Sequence, residues 1–143
     1  MTENLNASGS ATNAGIDYQQ RVAAWLLVAL LFGKDISRDF GGLNNNSPIK
    51  NVAFETNDSV DDLKAELNDK SVVYLQVKRS INLSTNVNSD FHKTMKQFIK
   101  QFVSHKHSKN YFVLATSSDT SSKVSKDLFK ILESIRLNPH SAG

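Results

Sequence analysis

The longest apolar run of the chain is "VAAWLLVALLF", Val22 to Phe32. As a helix these residues rise roughly 16 Å, about half of a ~30 Å hydrocarbon layer, so the run cannot span a membrane. An apolar surface nearly all round instead predicts a helix buried in a domain or against a partner. The helix is expected to start near Ile16 or Asp17 and to stop at Gly33, a suitable C-terminal cap. The turn formers of "GGLNNNSP", residues 41–48, predict a loop. Three strand-like segments follow: "IKNVAFE" (49–55), "VDDLKAEL" (60–67) and "SVVYLQVKR" (71–79). They are rich in β-branched residues or alternate in polarity, and "TNDS" and "NDK" separate them. An antiparallel meander is the economical pairing, although Lys, Ala and Glu in the middle segment would also suit a short helix.

From Ser89, a plausible N-cap, the period becomes helical. Phe91, Met95, Phe98, Phe102 and Val103 are expected inward, while Lys93, Lys96 and Lys100 form a stripe on another face. "YFVLATS" (111–117) is almost continuously apolar and predicts a strand covered on both faces, at the sheet centre. A last helix over 121–137 should turn Val124, Leu128, Ile131, Leu132 and Ile135 inward and end at Pro139. The order α-β-β-β-α-β-α predicts an α/β domain over 15–137 with a mixed sheet flanked by helices. Residues 1–14 read as a disordered leader. The tail, 138–143, reads as disordered or as the start of a linker to a further domain.

The 143 residues suffice for one core. There is no cysteine, so disulfides and thiolate metal sites are excluded, in keeping with a reducing cytoplasm. The start of the chain lacks the basic and apolar regions of a signal peptide. Net charge is only +3, but it is divided: residues 1–70 hold six basic and ten acidic side chains, and residues 71–143 hold eleven and four. A basic second half suits an anionic partner, although lysine-rich helices are more often simply solvated.

Several chemistries are absent. Gly41-Gly42 lacks the spacing of a phosphate-binding loop, and no serine stands in a nucleophile elbow. His105 and His107 do not share a helix face, which disfavours a histidine metal site. What remains is Asp61-Asp62 followed by Gln76-Val77-Lys78. On a strand, Gln76 and Lys78 share a face with Tyr74, while Val73, Leu75 and Val77 take the other. If the strands are neighbours, a carboxylate and an amide oxygen come within reach of one hard cation. Phosphodiester hydrolysis needs an activated water and stabilisation of added negative charge, and Mg2+ held by oxygens supplies both. Asp62, the side-chain oxygen of Gln76 and the carbonyl of Val77 are the candidate ligands. Lys78 would position water or neutralise phosphate, and Glu55 would serve a second metal or orient water. An amide in place of an acid implies loose binding, with Mn2+ as the possible better ion. By themselves these residues more often describe two solvated strands.

The element order, the acid before the second strand and "QVK" on the third resemble the PD-(D/E)xK restriction-endonuclease-like superfamily, especially its Mrr-like branch, where Gln replaces the usual acid. "GIDYQQRVAAWLL" (15–27), "FETNDSVDDL" (54–63), "YLQVKRSINLS" (74–84) and "YFVLATS" together resemble the N-terminal double-stranded DNA endonuclease domain of bacterial antiphage effectors, including those of CBASS systems. The likeness runs from Gly15 to about Ile135. It implies a metal-dependent cleaver of duplex DNA, often fused to a sensor domain and activated by assembly into homo-oligomers. It gives Asp62 the role of catalytic acid, with Asp61 as rival, Gln76 the variant acid position and Lys78 that of catalytic lysine. Gln19 would face the same cleft. Lys93, Lys96 and Lys100, with Arg79 beside them, would then follow the DNA backbone, and Lys123, Lys126 and Lys130 would form a second rail. A non-cleaving nucleic-acid-binding module and an assembly domain built on the apolar first helix are the competing expectations.

Overall fold

The computed structural model describes residues 4–40, 43–106 and 108–138. Pro139 and the tail beyond it, His107 and Gly41-Gly42 lie outside the described residues, as do the first three residues of the leader.

Helix α1 runs over Asn4–Leu31. It starts well before the expected Ile16, and no proline in the leader stops the helix from propagating outward from its packed part. Its end is a Schellman cap. Gly33 adopts φ 58°, its N–H donates to Leu30 and the N–H of Lys34 donates to Ala29, the pairing that satisfies the last carbonyls. The apolar run is buried along one stripe, through Leu26 and Ala29, while Leu27, Val28, Leu31 and Phe32 are exposed. Among the described residues no helix is long and apolar enough to cross a membrane.

Four strands make one mixed sheet in the order β1 (Ile49–Phe54), β2 (Leu63–Leu67), β3 (Val72–Lys78), β4 (Asn110–Thr116). The first three form the expected antiparallel meander, and β4 lies parallel to β3 in the register Val72↔Asn110 to Lys78↔Thr116. The crossover carries α2, Asp90–Ser104, whose first turn is capped by Ser89 Oγ accepting from the His92 N–H. One face of the sheet supplies Leu63, Ala65, Leu67, Val73, Leu75 and Val77 to a core closed by Leu26 and Ala29 of α1. On the other face Tyr74 stacks on Phe112, which also meets Phe98 and Phe102 of α2.

Three sequence expectations need correction. Strand β4 is at the sheet edge, not the centre; its unbroken apolar run reflects layers above and below, which are independent of whether a strand pairs on both flanks. Helix α2 buries Thr94 and Gln101, and leaves Phe102 and Val103 exposed. At 3.6 residues per turn this places the buried line roughly 70° from the middle of the phenylalanine stripe. The last helix is a π-helical segment, Lys123–Leu128, continuing into α3, Phe129–Leu137. Only Val124 is fully inward; Ile131, Leu132 and Ile135 are about half exposed, and Leu132 borders an open hollow of about 740 Å³ shared with β4 and α1.

The β2–β3 hairpin closes with Lys70 N–H on Leu67 and Leu67 N–H on Ser71, leaving Lys70 at φ 69°. A side chain there is strained by about 1 kcal/mol or more, partly offset by the entropy that a glycine would lose. Lys70→Gly is expected to stabilise the fold by about 0.5 kcal/mol, read as a higher urea midpoint at an unchanged m-value.

Candidate metal and phosphate site

The β2–β3 ladder begins at Leu63↔Leu75, so β3 outruns its partner by the residues that carry Gln76, Val77 and Lys78. A buried N–H without a ladder partner must find another acceptor. Asp62, immediately before β2, provides it: Asp62 Oδ2 accepts from Val77 N at 2.7 Å and from Gln76 Nε2 at 2.7 Å. The same bonds bring the acid and amide of the two strands into direct contact. Gln76 is 2% exposed, and its Oε1 is buried with no hydrogen-bond partner. An unpaired buried carbonyl oxygen costs about 1–3 kcal/mol. That deficit fits an oxygen-seeking cation.

The structure places the Val77 N–H, rather than its carbonyl, on Asp62. In an extended strand both groups of a residue point to the same flank, so the carbonyl is directed to the side of the sheet from which Asp62 approaches. The candidate donors are thus a carboxylate, an amide oxygen and a backbone carbonyl. Among the described residues no group of three or more His, Asp or Glu side chains could hold a metal, and a site here would depend on those two neutral oxygens.

Asp62 lines an open concavity of about 320 Å³ together with Gln19, Glu55, Thr56 and Asp61. Glu55 sits there at φ 45°, a conformation that side chains adopt at a cost of about 1–2 kcal/mol. Its N–H donates to the Asp62 carbonyl, and Thr56 N–H donates to that of Asp61. Burial pushes the Asp62 carboxyl above its ordinary value; the Val77 N–H and Lys78 oppose the rise, while Asp61 and Glu55 add to it. A cation would relieve the crowding of these acids.

Lys78 is half-buried and faces a second hollow, of about 490 Å³, with Ser59, Asp90, Lys93, Thr94, Lys96, Gln97 and Lys100. Four ammonium groups against one carboxylate make it strongly positive. Arg79 lies outside this lining and pairs with Asp119 at 2.7 Å. Lys123, Lys126 and Lys130 are exposed on the segment leading into and through the start of α3, and line neither hollow. Thr94, Gln97 and Gln101 were missed by the sequence reading. Their spacing of three and four makes an uncharged polar line between the phenylalanine and lysine stripes, which is the signal that could have found them.

No family model, curated protein or solved structure matches the chain.

A raised folded pKa means that protonated Asp62 favours the fold. That contribution is complete below the unfolded value, about 3.9, and is lost as pH rises through the folded one. Asp62→Asn retains an oxygen for the β3 donors and removes the charge. Its melting temperature is expected to equal that of the wild type at about pH 3 and to exceed it by about 1–2 °C at about pH 7, the effect being small because Asp62 is only half-buried.

Proposed function

We propose that this chain is a metal-dependent endonuclease domain of restriction-endonuclease-like architecture that hydrolyses phosphodiester bonds of double-stranded DNA, as the effector part of a bacterial antiphage protein. The observation that carries the reading is the contact of Asp62 with Gln76 and Val77 at the end of β3, beside an amide oxygen that lacks a partner. The four-stranded mixed sheet in the order α-β-β-β-α-β is consistent with it.

Asp62, Gln76 Oε1 and the Val77 carbonyl would hold Mg2+ or Mn2+. When bound, the ion supplies an activated water and charge against the phosphate oxygens. The chain's own residues do the rest. Lys78, reaching the basic hollow from the strand that carries Gln76 and close enough to act on Asp62, would neutralise phosphate charge. Lys93, Lys96 and Lys100 hold the neighbouring backbone, a contact that reads charge and not sequence. Glu55 and Gln19, which line the acidic concavity with Asp62, would orient water.

Assembly belongs to the same reading. Exposed Leu27, Val28, Leu31 and Phe32 of α1 and the adjoining turn, with Ile131, Leu132 and Ile135 of α3, provide apolar surface for a homo-oligomer or a sensor partner. A second reading is a module that holds nucleic acid without cutting. It is favoured by the fact that Asp62 Oδ2 already has two N–H donors and so is satisfied without a cation.

Supercoiled plasmid incubated with Mg2+ or Mn2+ over a range of protein concentrations separates the two. Nicking or linearisation is expected, falling at least about a hundredfold in Asp62→Asn and in Lys78→Ala. Binding without metal-dependent turnover at any concentration leaves the non-cutting module. In either case the triple variant Lys93→Ala, Lys96→Ala, Lys100→Ala should flatten the plot of log binding constant against log salt by about 0.9 for each phosphate that is no longer neutralised. An unchanged slope would remove these lysines from the interface.

A further inference from the structure

Gln101 is the most deeply buried large polar side chain of α2, at 1% exposure. Filling its place with an apolar group would avoid the cost of burying an amide. Both ends of that amide are in use. Oε1 accepts the N–H of Ser59 at 2.8 Å, across 42 residues of sequence, and Nε2 lies 3.1 Å from Nδ1 of His105.

Ser59 sits in the middle of the loop that joins β1 to β2 and ends at Asp62. The loop is organised from within by the bonds of Glu55 and Thr56 to Asp62 and Asp61 and by the fully buried Val60, and it is fastened to the start of β2 by the pair Asp58–Lys64 at 2.9 Å. Among the described residues two further hydrogen-bonded ties connect it to elements other than the strands it joins. Asp62 reaches β3, and Ser59 reaches Gln101. The second tie joins the loop to the same helix that carries Lys93, Lys96 and Lys100, and Ser59 itself forms part of the wall of their hollow.

We propose that Gln101 is a positioning residue for Asp62: by bonding Ser59 it latches the acid-bearing loop to the lysine-bearing helix and holds the two halves of the site in register. The assignment deepens the function proposed above and rests on it. The latch itself is a property of the metal-free protein. A directional bond from a buried amide fixes the loop in a way that apolar packing does not.

The test compares Gln101→Met, similar in length but without an acceptor, with Gln101→Glu, which keeps an oxygen for the Ser59 N–H. Amide hydrogen exchange of the metal-free protein reads the position of Asp62 through Val77, whose N–H it holds. Exchange at Val77 is expected to accelerate about tenfold in Gln101→Met, with Val73 and Leu75 within about twofold of wild type, and to return toward wild type in Gln101→Glu. Unchanged protection at Val77, or equal acceleration along the whole of β3, overturns the proposal. If Gln101→Met does not fold, Gln101→Asn, one methylene too short to keep both bonds, carries the same comparison. In the cleavage assay the metal concentration for half-maximal rate should rise about tenfold, and DNA binding in EDTA should stay within about twofold. A wild-type protein that neither cuts nor binds metal ends the nuclease reading, and the exchange at Val77 still decides the latch.

Discussion

A carboxylate closing the end of a strand is the interaction on which the rest of this molecule depends. Strand β3 is longer than β2, and the N–H of Val77 lies beyond the last rung of their ladder. Asp62 completes that rung with a side chain. The alternative, a buried donor left unpaired, costs about 1–3 kcal/mol, so the acid has a structural reason to stay where its charge is poorly solvated. Burial then raises its proton affinity. The fold thus holds a crowded carboxylate beside an unsatisfied amide oxygen, two features that are liabilities for stability and assets for binding a hard cation.

Around that point the charge is sorted by element. Glu55, Asp61 and Asp62 come from the β1–β2 loop and its flanks, and Lys93, Lys96 and Lys100 come from α2. Lys78 belongs to the basic hollow, yet acts on Asp62. At physiological ionic strength exposed charges are screened beyond about 8 Å, so Lys78, which is felt by Asp62 and lines the basic hollow, is the charge that relates the two groups. The left-handed backbone of Glu55 is strain stored at the same place, a pattern that accompanies sites held rigid by their surroundings.

Much of this was legible in the chain. Alternation of Val73, Leu75 and Val77 against Tyr74 and Gln76 gave the faces of β3, and the turn residues between the strands gave the meander, because both depend on local backbone chemistry. The Asp61-Asp62 and Gln76-Val77-Lys78 pair stood out for its residue types. Its alternative, two solvated strands, could not be dismissed from spacing, since nothing local says that Gln76 is buried. Thr94 and Gln101 show the opposite failure: polar residues at helical spacing read as surface until the β1–β2 loop is known to reach the helix at Gln101. The place of β4 and the exposure of Ile131, Leu132 and Ile135 were misjudged for a related reason, as an apolar run reports that a segment has partners available and not which flank or layer provides them.

What the sequence determined by itself was the order of elements, the two faces of β3 and the capping of the helices at Gly33 and Ser89, all of which are set within a few residues along the chain. The tertiary structure decided the length by which β3 outruns β2, the turn of α2 about its axis and the tie between Ser59 and Gln101, since these depend on how separate elements dock. Contacts across 14, 15 and 42 residues are selected by the closing of the core as a whole, and no periodicity along one segment encodes them.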